Sequence, residues 1–134
     1  MGLFSKKSKP ADDTPIEVIG ETSYIRAHNA GGFLLAEVIP EKYSEHEATA
    51  IQTDVLAHAD TFANKIVMDL AHVQMLASAG IGSLIQLHQS CQRAGGKLVL
   101  CNIDDNIRMM LGVAKMDRLL HLATDRADAA GKLG

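Results

Sequence analysis

The hydrophobic pattern at the start of the chain is that of short strands. Residues 16–19, 23–27 and 33–39 are apolar-rich runs, and the last of them, FLLAEVI, ends before a proline. Gly20-Glu21 separates the first two runs, and Asn29-Ala30-Gly31-Gly32 is a strong turn signal before the third. Strands joined by such short turns predict an antiparallel meander at one side of a sheet.

A helical period follows this meander. Ser44-Glu45-His46-Glu47 has the residues of a capping box, in which Ser44 and Glu47 satisfy each other's backbone N–H groups. The apolar stripe that comes next has helical spacing and consists of Ala48, Ile51, Val55, Ala59 and Phe62. We therefore predict a helix that begins after Ser44 and ends around residues 60–64.

The rest of the chain alternates between apolar runs and helical periods. Residues 65–70 (KIVMDL) and 97–101 (KLVLC) predict strands buried on both faces. A helix is predicted between them over residues 80–94, because Gly95-Gly96 stops it. The remaining predicted elements are a helix capped by Asp104 and carrying Ile107, Met110, Leu111 and Ala114, a short strand over residues 119–122, and a helix from Thr124 or Asp125 through Ala130.

Strands that alternate with helices imply parallel pairing, so the pattern predicts an α/β fold. The expected architecture is one domain over residues 16–130. Its mixed sheet has antiparallel N-terminal strands and parallel later strands, and about four helices pack on it. Residues 1–15 are expected to be a disordered basic and polar tail, and residues 131–134 a frayed end.

Composition narrows the class of protein without indicating an activity. The chain has 134 residues, no tryptophan and only 4% aromatic residues, so its core must be aliphatic. A net charge of −3 offers no basic surface for nucleic acid. No apolar run reaches the roughly 18 residues of a membrane span, and the first residues lack the apolar core of a secretory signal. A cytoplasmic protein is therefore expected.

Three consecutive pieces of the chain have the order and spacing of a known family. They are VMDLAHVQML from residue 67, ASAGIGSLIQLHQSCQRAGGKLVLCNI from residue 77 and MLGVAKMDRLLHL from residue 110. The stretch from residue 65 to residue 122 resembles the STAS domain, the family of bacterial anti-sigma-factor antagonists and their relatives. The resemblance implies a STAS-like fold without cofactor or enzymatic activity. It also implies a protein partner, an anti-sigma factor or switch kinase, and leaves self-association open.

Ser78 is the residue that the resemblance singles out. In the family, a kinase phosphorylates the serine at this turn, and the phosphate breaks the complex. Here Ala77 replaces the acidic residue that commonly precedes the serine, and Ala79 replaces the serine or threonine that follows it. Ser78 and Gly80 keep the pattern, so Ser78 is a candidate phosphoacceptor.

Two alternatives for this turn stay open. Ser78 can be a simple helix N-cap, a role that is compatible with any function. The domain can also be an accessory subunit of a membrane transport system or a scaffold in a sensory assembly. Those roles need docking but no phosphorylation, and they agree with Ala77 and Ala79.

The expected docking surface is formed by the Ser78 turn and the start of the helix after Asp104. Its predicted residues are Ala77, Ser78, Ala79, Gly80, Gly82, Ser83, Asp104, Asp105 and Arg108. A phosphate adds about −1.5 to −2 charges. A helix N-terminus tolerates that charge within the domain, whereas an acidic or apolar partner surface rejects it.

A catalytic serine has weaker support. Ser78-x-Gly80 after a strand matches only part of the nucleophile elbow, because Leu76 stands where the first glycine is needed. His72 and His121 are possible bases by location only. We therefore predict no catalytic site.

A metal site has little support as well. His88, Cys91 and Cys101 carry atoms that suit zinc. His88 and Cys91 lie on an apolar stripe, however, where packing in the core is the expected role. We therefore predict no metal site.

Overall fold

The computed structural model describes residues 16–133, so the predicted tail of residues 1–15 lies outside the described residues, as does Gly134. The strands in this range are β1 Glu17–Glu21, β2 Ile25–Asn29, β3 Leu34–Val38, β4 Lys42–Tyr43, β5 Lys65–Asp69, β6 Met75–Leu76, β7 Lys97–Cys101 and β8 His121–Leu122. The main sheet has the order β1-β2-β3-β5-β7-β8. β1 to β3 are antiparallel, and β3, β5, β7 and β8 are parallel, which confirms the predicted mixed sheet. β4 and β6 form a separate parallel pair.

The helices in the same range are α1 Glu45–Ala59, α2 Ser78–Arg93, α3 Asp105–Val113 and α4 Arg126–Leu133. The Ser44 N–H donates to Glu47 Oε1 at 3.1 Å, and the Ser44 hydroxyl donates to the same oxygen at 2.6 Å. Asp104 caps α3, since its carboxylate accepts the Asn106 N–H at 2.7 Å. At both predicted helix starts, a side chain within the first turn therefore caps the helix.

Side-chain alternation along the parallel strands divides the core between the two faces of the sheet. Leu98 and Leu100 of β7 join the cluster that includes buried residues of α1, α2 and α3. Val99 and Cys101 join a smaller cluster that includes Ala129 of α4. Within residues 16–133, three helices thus cover one face, and α4 lies over the other.

The C-terminal end is ordered further than the sequence suggests. α4 continues through Leu133, so the frayed end predicted from residue 131 is wrong. The Lys132 ammonium donates to the Leu122 carbonyl at 2.9 Å and lies 3.3 Å from Asp128 Oδ2. Leu133 packs partly buried against the α4 side of the core. These tertiary contacts stabilise a last turn that Gly131 alone would weaken.

α3 buries fewer residues than the apolar pattern predicts. Ile107 and Leu111 are buried, but Met110 is 41% exposed and Ala114 is exposed, so the expectation that they belong to the core is wrong. The helix has only 9 residues, and its two buried residues lie one turn apart on the same side. Its outer side is apolar, because Met109 and Val113 are exposed there.

Candidate functional site

Ser78 lies at the start of α2, where the chain leaves β6. The extended backbone of β6 continues into Ala77, whose φ of −86° and ψ of 169° make it the N-cap residue. Ser78 is therefore the first residue of the helix, and no side chain caps it. The interpretation of Ser78 as an N-cap is wrong, because pairing of β6 with β4 keeps the chain extended for one residue more.

Gly80 seats the start of α2 against β4. The Ala77 N–H donates to the Tyr43 carbonyl at 3.0 Å. A Cβ atom at Gly80 would overlap that same carbonyl oxygen and the Tyr43 ring. Tyr43 is fully buried and cannot move aside without disturbing the core. A residue without a side chain is thus required here, and this contact positions Ser78.

The predicted turn residues differ in accessibility. Ser78 and Ala79 are exposed, and Ala77 and Gly82 are half-buried. Gly80 and Ser83 are buried, so the expectation that they contact a partner directly is corrected. The Ser83 hydroxyl donates to Gln52 Oε1 at 3.0 Å and ties α2 to α1.

The predicted residues at the start of α3 are all accessible. Asp104, Asp105 and Arg108 are exposed. β5 and β7 are parallel neighbours, so the segments that follow them, which lead to α2 and α3, leave the same edge of the sheet. The structure therefore brings both parts of the predicted surface to the carboxyl edge of the sheet, which is where open α/β sheets commonly bind.

A shallow groove, here called the interhelical groove, separates α1 from α2 beside Ser78. Its volume is about 300 Å³, and Ala79, Gly82 and Ser83 line one side of it. Thr49, Gln52 and Glu45 line the side formed by α1. A Cβ atom added at Gly82 would meet no atom within 4 Å apart from its own turn of the helix. The groove is thus open to a partner at the position of a glycine.

A polar network that the sequence analysis missed, here called the Glu37 cluster, lies on the α4 face of the same edge. Glu37 Oε2 is 3.0 Å from His72 Nε2, and Glu37 Oε1 is 3.5 Å from His28 Nε2. Arg26 and Arg126 each place a guanidinium nitrogen 3.9 Å from Glu37. Arg126 also donates to the buried Asp69 at 2.6 Å. The sequence held one signal for this network: polar residues alternate with apolar ones in β2, and Glu37 follows the apolar start of β3.

The Glu37 cluster favours the charged form of its central carboxyl group. Burial acts to raise the pKa of Glu37, but hydrogen bonds from His72 and His28 and the charges of Arg126 and Arg26 outweigh it. The pKa of Glu37 is therefore lower than the ordinary value of a glutamate side chain. Glu37 is the ionised centre that joins β3 to α4 and to the loop before β6.

The histidines proposed as possible bases have other neighbours. His72 is paired with Glu37, and the ring of His121 packs edge-on against His88 with centroids 5.4 Å apart. Among residues 16–133, no hydrogen bond joins either histidine to Ser78. The geometry does not assemble a serine–histidine pair there.

The candidate zinc donors do not converge. Cys91 and Cys101 belong to different core clusters on opposite faces of the sheet. Within the described range, no group of three or more His, Cys, Asp or Glu side chains is placed to hold a metal ion. Burial raises the pKa of Cys91 to about 11, which keeps its thiol protonated and unreactive.

Comparison with known proteins identifies the family. The model of the STAS domain family matches residues 24–129, and the chain therefore belongs to this family. BtrV of Bordetella bronchiseptica, assigned as an anti-sigma factor antagonist, is 23% identical over 83 residues, which are 62% of this chain and 72% of that protein.

From residue 16 to residue 133, no helix combines the length and apolar character needed to span a bilayer.

Solved structures show the same fold at low identity. An anti-sigma-factor antagonist (STAS) domain protein from Planctomyces limnophilus has a TM-score of 0.71 at 18% identity, over 85% of this chain and all of that one. SpoIIAA of Bacillus in its phosphorylated form has a TM-score of 0.61 at 12% identity, over 82% and 99%. The murine Slc26a9 anion transporter has a TM-score of 0.64 at 16% identity, over 76% of this chain and 18% of the transporter. The fold is thus that of anti-sigma-factor antagonists.

The two glycines of the α2 start are expected to respond oppositely to alanine. Gly80→Ala forces a clash with the Tyr43 carbonyl and should destabilise the domain by about 1–3 kcal/mol. Gly82→Ala is the matched control, since its Cβ enters open space and should stabilise the helix by up to about 1 kcal/mol. Urea unfolding of both variants measures the difference, and equal stability would contradict the seating role of Gly80.

The contribution of Glu37 should depend on pH. Its pKa is lowered in the folded state, so its stabilising effect is complete above its ordinary pKa of 4.5 and is lost as pH falls through the lowered value. We expect Glu37→Gln to cost about 1.5–3 kcal/mol at pH 7. The difference in unfolding free energy between Glu37→Gln and the wild type should become smaller in acid. Unfolding free energies measured from pH 7 to pH 3 test this, and a gap that stays constant would show that Glu37 acts without its charge.

Proposed function

We propose that this chain is a non-enzymatic docking module that antagonises an anti-sigma factor or a related switch kinase in the bacterial cytoplasm. The observation that carries the proposal is the placement of Ser78. It is exposed at the first residue of α2, at the edge of the sheet that also presents the start of α3. The class of partner comes from the family and from relatives assigned as anti-sigma factor antagonists.

The proposed contact surface is smaller than the set of residues predicted from sequence. Ser78, Ala79 and Gly82 form its part on α2, with Ala77 at the rim. Asp104, Asp105 and Arg108 form its part on α3. Gly80 and Ser83 are buried and hold α2 in position. Gly80 allows the helix to lie against Tyr43, and Ser83 donates a hydrogen bond to Gln52 of α1.

We further propose that a phosphate on Ser78 releases the partner. Ala77 at the N-cap has no side-chain acceptor, and among residues 16–133 no side chain caps the first turn of α2. Those groups and the positive end of the helix dipole accommodate the phosphate within the domain. The added charge then acts on the partner, whose complementary surface must exclude it.

A second candidate function is docking without a switch, as part of a transport system. The structural likeness to a segment of the Slc26a9 anion transporter favours it. The replacement of the family's neighbouring polar residues by Ala77 and Ala79 favours it as well. In this case the same surface binds, and a negative charge at Ser78 has no regulatory effect.

Substitutions at Ser78 separate these two functions. Ser78→Asp should weaken binding by about tenfold or more, which corresponds to about 1.4 kcal/mol, whereas Ser78→Ala should bind like the wild type. Titration calorimetry against each anti-sigma factor kinase encoded in the source genome measures the affinities. Equal affinities for the two variants would contradict the proposed phosphorylation switch and favour the transport or scaffold role.

The interhelical groove gives a test that does not depend on charge. Gly82→Phe should leave the fold intact, because a Cβ atom at this exposed rim meets no neighbouring atom, but its ring should obstruct the partner and weaken binding by about tenfold. Gln89→Phe is the matched control on the same helix, at an exposed position two turns away. The same calorimetric titration applies, and an unchanged affinity of Gly82→Phe would place the partner elsewhere.

A further inference from the structure

A second cavity of the described residues lies at the amino edge of the parallel strands, opposite the Ser78 turn. It has a volume of about 660 Å³, and we call it the edge groove. It is lined by Ile19, Asn29, Gly32, Thr61, Phe62, Ala63 and Lys65. Asn29 ends β2 and Lys65 begins β5, so the edge groove spans the antiparallel and parallel parts of the sheet.

The polar groups of the edge groove are mainly hydrogen-bond donors. Lys65 is exposed, and among residues 16–133 it makes no ion pair. The side-chain oxygen of Asn29 already accepts the Gly31 N–H at 3.1 Å, which leaves the Asn29 amide group as a donor. Among residues 16–133, no carboxylate lines the cavity. These groups suit an anion.

The remaining lining is apolar. Ile19 is 37% exposed on the edge strand β1, and Phe62 is half-buried at the end of α1, where it packs against the core. Ala63 lies between Phe62 and the backbone of Asn64. A ligand of this cavity therefore needs an apolar body beside its charged group.

The wall of the edge groove is held in a strained conformation. Ala63 and Asn64 are consecutive non-glycine residues with φ values of 55° and 59°. The Asn64 N–H donates to the Ala59 carbonyl at 2.9 Å, and the Asn64 carbonyl accepts the Lys97 N–H at 2.9 Å. Ala63 is the left-handed residue that ends the helical turn after α1, and these hydrogen bonds fix its position beside the cavity.

From these observations we propose that the edge groove binds a small organic anion with an apolar body. The carboxylate of the ligand is held by Lys65 and Asn29, and its apolar part lies on Ile19 and Phe62. The volume is within the range of about 300–1,000 Å³ that is usual for small-molecule sites. The site is independent of the docking surface, which lies at the other edge of the sheet.

Phenylbutyrate is a suitable probe, and phenylbutylamine is its matched control with the opposite charge. Titration of the full-length ¹⁵N-labelled chain with phenylbutyrate should shift the amide signals of Ile19, Asn29 and residues 62–65. The amine should bind about fivefold more weakly or not at all, as expected for one exposed ion pair. Equal binding of acid and amine, or shifts confined to other residues, would overturn the proposal.

Substitutions at Ala63 provide the second arm of the test. Asp and Asn both tolerate the left-handed backbone at this position, so Ala63→Asp and Ala63→Asn should both fold. Only Ala63→Asp adds a negative charge to the cavity, and it should bind phenylbutyrate about tenfold more weakly than Ala63→Asn. Lys65→Met should weaken binding about fivefold. Similar affinities of the two Ala63 variants would show that the cavity does not select an anion.

Discussion

The close approach of Gly80 to the Tyr43 carbonyl is the constraint on which the candidate docking surface depends. It joins the start of α2 to β4, a strand that follows the antiparallel part of the sheet. The hydrogen bond from Ala77 to the same carbonyl continues the pairing of β6 with β4 up to the first turn of the helix. Ser78 is held at an exposed position because the residue before it and the residue two places after it are both fixed to Tyr43.

The two edges of the parallel strands have different chemistry. The carboxyl edge presents the starts of α2 and α3 on one face and the Glu37 cluster on the other. At the amino edge, the ammonium group of Lys65 lies beside the apolar side chains of the edge groove. The difference follows from topology, since helix starts follow the carboxyl ends of parallel strands. The two proposed binding surfaces therefore share no residues.

Much of the fold could be predicted because its determinants are local. The Ser44–Glu47 cap and the Asp104 cap depend on residues within one turn, and both are present. The boundaries of β7 agreed with the apolar run that predicted them. The predicted N-cap, Ser78, was wrong by one residue, because the β4–β6 pair that extends the chain up to Ala77 is too short to show in a pattern of apolar residues. The last turn of α4 was missed because the hydrogen bond that holds it, from the Lys132 ammonium to the Leu122 carbonyl, joins residues 10 positions apart and leaves no trace in the apolar pattern.

Taken by itself, the sequence determined the order of the helices and of the strands of the main sheet, the aliphatic core and the family to which the chain belongs. Those properties depend on periodicity and on residues that are neighbours along the chain. Only the tertiary structure decided that Gly80 is buried while Ser78 is exposed, that Glu37 has two histidine and two arginine neighbours, and that a cavity forms around Lys65. Each of these features joins segments that are far apart in sequence, and their contacts exist only when the sheet has brought the segments together.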